Sequence, residues 1–451
     1  MSLGKAEKSA ATSRRDFIKR SSLWVTGGAI AGGLNVAQAA HAYGSDVIKI
    51  GLVGCGGRGT DAAVQALNTA TQEDVKPNGP VKLIAMADVF ADKVQGAYRK
   101  IKSQHRDLVD VPPERRFTGF DGYQKVLDCD IDLVILATPP GFRPLHFEAA
   151  VYAGKHVFME KPCATDAPGV RRLLAANETA KNKGLMVAVG LQRRHETKYR
   201  ETIARLQDGA IGDIVCTRVF WNGAGVPVHP RRKGQSELEY QMRNWYYFNW
   251  LCGDHIVEQH IHNLDVSNWL MGGPPVECNG MGGRQVRTGK EHGQIYDHHF
   301  CEYTYASGTR MYSQCRHIRG CWNNVSEHVQ GTQGRADISG AKIYDASGQL
   351  VWKYGPGGGG GHQEEHYDLF ATLRRGDIYN EGDYGATSSM TAILGRLATY
   401  SGKMVNWDEA IGSEIALANI DNLRSFADEP PLKPDEDGFY QIAAPGETET
   451  L

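Results

Sequence analysis

None of the nine cysteines lies in a C-x-x-C pair, so neither a zinc ribbon nor a thioredoxin-type redox site is expected. Their number is odd and their spacing irregular. That suits small buried apolar residues better than a disulfide framework, although an exported protein can form a bridge. An excess of one charge is also missing: 50 basic against 52 acidic side chains leave a net charge of −2. A chain so balanced carries no electrostatic footprint for nucleic acid or for an anionic membrane. No apolar run is long enough to cross a bilayer comfortably, no internal repeat is present, and no H-E-x-x-H metal signature occurs.

What is present begins with a leader. Ser13-Arg14-Arg15-Asp16-Phe17-Ile18-Lys19 looks like a twin-arginine export signal. A glycine-rich, weakly apolar run follows over 23–36, and small-residue cleavage patterns end at Ala39 or Ala42. Residues 1–42 are therefore read as a signal peptide, and the mature protein is expected in the periplasm. The remaining length suits two domains.

The first ordered signal is Lys49-Ile50-Gly51-Leu52-Val53-Gly54-Cys55-Gly56-Gly57-Arg58-Gly59. A short apolar strand runs into Gly54, Gly56 and Gly59 in G-x-G-x-x-G spacing, and Thr60 to Leu67 read as the start of a helix. This strand–turn–helix context is what a dinucleotide fingerprint requires. The first Gly makes a tight turn, the second lets backbone approach a pyrophosphate, and the third lets helix pack on strand. The helix N-terminus, with Gly57 and Arg58, offers N–H groups to phosphate. A second strand over 81–89 places Asp88 where an acidic side chain accepts from the ribose hydroxyls and repels a 2′-phosphate. NAD is thus expected over NADP, and Arg58 is placed to stack on adenine or to soften that preference. The excess length before Asp88 is assigned to a polar inserted loop over 68–80.

Strands and helices then alternate. Helices are expected over 91–105, 121–128 and 144–153, and strands over 132–138 and 156–159. The strand 132–138 is an unbroken apolar run, as in a parallel strand covered on both faces. It stops at Thr138-Pro139-Pro140, on the sheet edge where ligands bind in such folds. The pattern is that of a doubly wound α/β sheet. Further on, a helix is expected over 166–183 and strands over 185–190 and 213–221. A hairpin joins 299–305 to 309–316 through Ala306-Ser307-Gly308, further short strands fall within 326–354, and a glycine linker covers 355–361. Helices over 363–375 and 387–401 close the pattern.

Several of these pieces together resemble the Gfo/Idh/MocA oxidoreductases, named for glucose–fructose oxidoreductase and inositol dehydrogenase. The matching stretches are Gly54-x-Gly56-x-x-Gly59, Ala137-Thr138-Pro139-Pro140, Ala153-Gly154-Lys155-His156-Val157, Glu160-Lys161-Pro162, Val189-Gly190-Leu191-Gln192-Arg193-Arg194, and His262-x-x-Asp265-x-x-x-Trp269-Leu270-x-Gly272. The resemblance implies an N-terminal Rossmann NAD(P)-binding domain over 46–165. It also implies a C-terminal α+β substrate-binding domain over 166–380, with a large, mostly antiparallel sheet used for oligomer contacts. Residues 381–451 are assigned to helices packing back on the core.

In that frame Lys161 stands at the end of a sheet strand beside the expected nicotinamide. Its ammonium can hold a sugar hydroxyl and stabilise the alkoxide that forms as hydride leaves. Glu160 is placed to pair with Lys161 or to orient the cofactor amide. In Asp254-His255-Ile256-Val257-Glu258-Gln259-His260-Ile261-His262-Asn263-Leu264-Asp265, relatives usually show Asp-x-Gly-x-His and then Asp. Here Glu258 replaces the Asp and His260 the Gly, while His262 and Asp265 match. On a continuous helix Glu258 and His262 share one face. His262 is then the general base, and Glu258 binds a hydroxyl or tunes it. The density of His255, Glu258, His260 and His262 makes a metal conceivable, but their spacing reads better as a polar pocket wall, and no metal is expected. Arg193, Trp245, Tyr246, His260 and Asp265 are the expected substrate contacts, the aromatics suiting the C–H faces of a sugar.

The expected activity is NAD(P)-dependent hydride transfer at a secondary hydroxyl of a sugar, cyclitol or glycoside, in a homo-oligomer that holds its cofactor tightly. Two alternatives stay open. One is a redox-neutral NAD-dependent glycosidase with His260 or His255 as an added base. The other is a non-catalytic nucleotide-binding scaffold.

Overall fold

The computed structural model describes residues 47–70, 78–355 and 360–451. The twin-arginine leader lies outside the described residues, as do parts of the 68–80 loop and of the glycine linker.

The first sheet contains β1 (Ile48–Val53), β2 (Val81–Asp88), β3 (Arg116–Thr118), β4 (Leu133–Leu136), β5 (His156–Met159) and β6 (Val187–Val189). They run parallel in the order β3-β2-β1-β4-β5-β6. All four β4 side chains are sealed from solvent, because helices cover both faces. The strand order reverses between β1 and β4, and the crevice at their carboxyl ends is where such sheets bind ligands.

The sheet does not end at residue 165, where the sequence reading placed the boundary. The helix Ala167–Asn182 is a crossover from β5 to β6, started by Asp166, whose carboxylate accepts the Gly169 N–H at 2.8 Å. The helix Gly361–Arg375 also returns to this domain, putting Leu369 and Phe370 into its core.

The second sheet contains β7 (Ile214–Gly223), β8 (Glu277–Gly283), β9 (His298–Thr304), β10 (Arg310–His317), β11 (Asn324–Gly331), β12 (Gly334–Asp337), β13 (Lys342–Asp345), β14 (Leu350–Lys353) and β15 (Val405–Asn406). Their order is β14-β13-β12-β11-β7-β10-β9-β8-β15. Every pairing is antiparallel except that of β7 with β10. The β9–β10 hairpin falls where alternation predicts it. Met311, Ser313, Cys315 and His317 face inward, and the intervening residues lie on the half-exposed face.

Between the two sheets runs the helix Gly382–Ser401, buried along almost its whole length. Gly395 lets Tyr303 approach: a Cβ there would sit 2.0 Å from the phenol oxygen. The helix is tied to its neighbours by polar bonds. Ser389 Oγ accepts the Cys163 N–H at 2.9 Å, Ser388 Oγ donates to Asp265 at 2.8 Å, and Asn268 donates to Thr391 at 2.8 Å. After the short helix Trp407–Gly412 the chain is irregular apart from one turn at Ile420–Asn422, so the expected C-terminal helices stop well before residue 451. All nine cysteines are free thiols. Among the described residues no helix is long and apolar enough to cross a membrane.

Candidate active site

A cleft of about 1090 Å³ opens at the carboxyl edge of the first sheet and is closed from the other side by the second domain. That is ample for a ligand larger than the usual small molecule. Its floor is the glycine turn. Gly54 has φ +99°, and a Cβ there would lie 2.5 Å from the backbone of Ala137 and Thr138. At Gly59 a Cβ would meet the Gly54 carbonyl oxygen at 1.9 Å. These two glycines serve packing. Gly56 and Gly57 differ: a Cβ on either meets no atom within 4 Å, and both line the cleft. The space that side chains would fill is left beside the N-terminus of Gly57–Asn68, which suits a pyrophosphate.

Asp88 is fixed at the end of β2. Its Oδ2 accepts the Cys55 N–H at 2.8 Å and its Oδ1 the Phe90 N–H at 2.9 Å. Burial holds its carboxyl somewhat above the ordinary range, against the opposing pull of those N–H groups. Arg58 lines the cleft as expected, with one edge held: its Nε donates to Glu160 at 2.5 Å and its Nη2 to Gln65 at 2.6 Å. Glu160 thus pairs with Arg58 rather than with Lys161. Thr138 and Pro139 line the cleft as expected, Thr138 Oγ1 lying 3.1 Å from His146 Nδ1.

Lys161 reaches across the cleft. Its Nζ donates to the Glu258 backbone oxygen at 2.5 Å and to Glu258 Oε1 at 3.0 Å. The segment that presents Glu258 is not the single helix the sequence suggests. Asn249–Cys252 ends at left-handed Gly253, Asp254 follows at φ +76°, one turn spans His255–Glu258, and a separate helix begins at Ile261. Glu258 closes the first turn and His262 opens the next helix, so both reach the cleft without sharing a helix face. His262 stacks on Trp221, ring centroids 5.8 Å apart. Burial, and then the charges of Lys161 and Arg193, push its pKa well below the ordinary value, which favours the neutral imidazole.

Trp245 lines the cleft, but the other expected substrate contacts do not. Arg193 is buried in an ion pair with Glu327. Asp265 takes a two-pronged contact from Arg194 at 2.8–3.1 Å. His260 is sealed from solvent with Nε2 2.8 Å from Ser313 Oγ. Tyr246 is buried against His317, ring centroids 6.2 Å apart. The density of His255, Glu258, His260 and His262 also resolves into two sides: Glu258 and His262 face the cleft, His255 and His260 lie behind it. Sequence reasoning missed Trp221, Gln259 and His362, which line the same wall, and the rim formed by His229, Arg231, Arg232 and Arg424. Trp221 carried a faint signal as the aromatic end of an expected strand; His362 carried none.

A parallel sheet ending in an open glycine cradle, faced by a Lys–Glu pair and a neutral histidine, defines a two-domain dinucleotide-binding protein. Residues 48–191 match the oxidoreductase family with an NAD-binding Rossmann fold, and residues 199–337 match the Gfo/Idh/MocA C-terminal domain. The chain belongs to the Gfo/Idh/MocA oxidoreductase family. Inositol 2-dehydrogenase of Acidothermus cellulolyticus is 26% identical over 238 residues, covering 53% of this chain and 58% of that protein. The Salmonella typhimurium protein of the same name is 27% identical over 225 residues, or 50% and 54%. The chain thus spans about half the length of the curated relatives it matches. Among solved structures, levoglucosan dehydrogenase in complex with NADH and levoglucosan aligns with a TM-score of 0.62 at 18% identity, covering 80% of this chain and 99% of that one. Apo scyllo-inositol dehydrogenase from Lactobacillus casei gives 0.59 at 19%, covering 80% and 98%. These likenesses establish the shared fold.

Proposed function

We propose that this protein catalyses hydride transfer between NAD(H) and a secondary hydroxyl of a sugar, cyclitol or glycoside. One observation carries the reading: the Lys161–Glu258 pair and the neutral His262 open onto the same cleft as Gly56, Gly57 and Asp88. The names of the relatives, inositol and levoglucosan dehydrogenases, support the substrate class. When bound, the nicotinamide accepts or returns the hydride. The protein's own groups do the rest. Lys161 donates to the reacting oxygen and stabilises it as an alkoxide. Glu258 holds the ammonium in place through two hydrogen bonds. His262 takes the hydroxyl proton, and Trp221 and Trp245 present aromatic surface to the C–H face of the ring. Asp88 favours NAD over NADP.

We read the protein as exported to the periplasm by the twin-arginine route, with its cofactor loaded first and held through turnover. Self-association through the large sheet is supported by exposed Met281 and Trp322, 74% and 61% accessible, together with Val215 and Val325.

The redox-neutral glycosidase alternative needs another base in the cleft, and His260 and His255, the residues expected to serve, are buried behind it. The test is to purify the exported protein without added nucleotide, assay acid-released NAD, and then screen polyols and aryl glycosides. NADH formed with a polyol supports dehydrogenation. Aryl alcohol released without net NADH supports the glycosidase. Unaltered function in Lys161→Met with no turnover of either substrate class supports the scaffold.

A further inference from the structure

Behind the cleft wall lies a second polar cluster that hydride transfer does not use. Asp254, His255 and His299 each offer one ligand atom, all within 4.8 Å of one another, and the three side chains are fully buried. His299 Nε2 is 3.4 Å and His255 Nε2 is 3.9 Å from the same Asp254 Oδ1.

Thr399 Oγ1 lies 2.9 Å from His299 Nδ1 and has two carbonyl acceptors beside it, Gly395 at 3.0 Å and Arg396 at 3.1 Å; when the hydroxyl donates to either carbonyl, it accepts the Nδ1–H. The Nδ1–H is then occupied, and the Nε2 lone pair faces a carboxylate oxygen. Two acceptors confronting each other at full burial call for a cation between them. His255 is left out of either arrangement: neither of its ring nitrogens has a hydrogen-bond partner among the described residues, and the residue is 0% exposed. A single metal ion takes one nitrogen from each ring and the carboxylate oxygen together. Tetrahedral zinc with bonds of ~2.0–2.1 Å separates its ligand atoms by about 3.3–3.5 Å, close to the spacing of the His299–Asp254 pair. The Thr399 contact is the outer hydrogen bond that a metal-ligating histidine characteristically makes.

We propose that Asp254, His255 and His299 bind one zinc-class divalent cation, with water completing its shell. Asp254 Oδ2 is held by the Tyr400 hydroxyl at 2.5 Å and the Tyr296 N–H at 2.9 Å, while Oδ1 accepts the His255 N–H at 2.5 Å and keeps a second lone pair for the metal. Arg287 is one ring removed, donating to His317, which stacks on His255 at 4.3 Å, and Arg396 is held by the Gly253 carbonyl at 3.1 Å. The site has a structural use. Asp254 is a non-glycine residue at φ +76°, and its turn ends in Glu258, which holds Lys161. The cation fixes that turn from behind, which makes the three ligands positioning residues.

Of the histidine-rich stretch in which the sequence suggests no metal, only His255 belongs to this cluster; His299 comes from β9, 44 residues further on. The test reads metal, not turnover, so its outcome is independent of the substrate proposed above. Protein purified without chelator is analysed by elemental mass spectrometry, then stripped and titrated with cobalt(II). The expected result is about one equivalent of metal per chain, a cobalt spectrum of low-coordinate type, and loss of both in His299→Gln and His255→Gln. Should either variant fail to fold, the wild-type cobalt titration decides alone. Less than a tenth of an equivalent bound by wild type before and after titration overturns the proposal, as does full retention of metal in both variants.

Discussion

Gly54 and Gly56 are two residues apart, yet their substitution should fail in opposite ways. A methyl group at Gly54 must occupy φ +99° and sit 2.5 Å from two backbone atoms of the β4 end. The left-handed backbone alone costs about 1–2 kcal/mol for a non-glycine residue, and crowding adds about 1–3 kcal/mol. Gly54→Ala should therefore melt well below wild type, by ~2–4 °C per kcal/mol. Gly56 has φ −72° and ψ −172°, an extended conformation open to any residue, and its Cβ meets no atom within 4 Å. Gly56→Val should fold with a loss under about 1 kcal/mol, that of a changed helix cap. Its isopropyl group would stand in the space assigned to the pyrophosphate, and NADH affinity should fall at least ~100-fold, equivalent to about 2.7 kcal/mol. The assay is calorimetric titration with NADH and a melting curve with and without it. Saturating ligand at ~100 times its Kd stabilises wild type by about 2.7 kcal/mol, and that increment should vanish in Gly56→Val. If Gly56→Val binds NADH as wild type does, the cradle has been misread.

Three further outcomes are expected. Lys161→Met should lower kcat by about 10²–10⁴-fold with NADH affinity nearly unchanged, because the ammonium faces Glu258 and not the glycine turn; a parallel loss of NADH binding would contradict this. Glu365 is buried with its carboxyl pushed up to about 7, first by burial, with Arg58, Glu160, His362 and His366 around it. A carboxyl raised in the folded state loses stability as pH rises from its unfolded value near 4.5 through 7. Glu365→Gln should remove that slope and be more stable than wild type at pH 8 by on the order of 2–3 kcal/mol, with little difference near pH 4.5; parallel denaturation curves across this range would refute it. Arg193→Met should cost about 3–5 kcal/mol of stability by stranding buried Glu327 while leaving KM unchanged; a raised KM at unaltered melting temperature would restore Arg193 to the substrate site.

The dinucleotide half was legible because its signals are local. The apolar runs of β1 and β4, the glycine spacing and the acidic end of β2 all report on residues a few positions apart. Lys161 and His262, which the resemblance singles out, both line the cleft. What failed was long-range pairing. Arg193, Asp265 and His260 read as substrate contacts because polar residues beside a pocket motif normally face it. Their partners Glu327, Arg194 and Ser313 lie 134, 71 and 53 residues away. No periodicity encodes such pairs. The break between Glu258 and His262 was hidden for a related reason: Gln259 and His260 are acceptable helix residues, and only tertiary contacts, such as Gln259 with His317 at 2.8 Å, turn the chain there.

The buried helix Gly382–Ser401 has a bearing on how such an enzyme would cycle. It is bolted to the crossover region of the first domain through Ser389 and to the second domain through Ser388, Thr391 and Arg396, the last donating to the Gly253 carbonyl at 3.1 Å. A spine clamped to both halves leaves little freedom for a hinge. Entry and exit then fall to the edges of the cleft, where residues 229–232 and 423–424 line it.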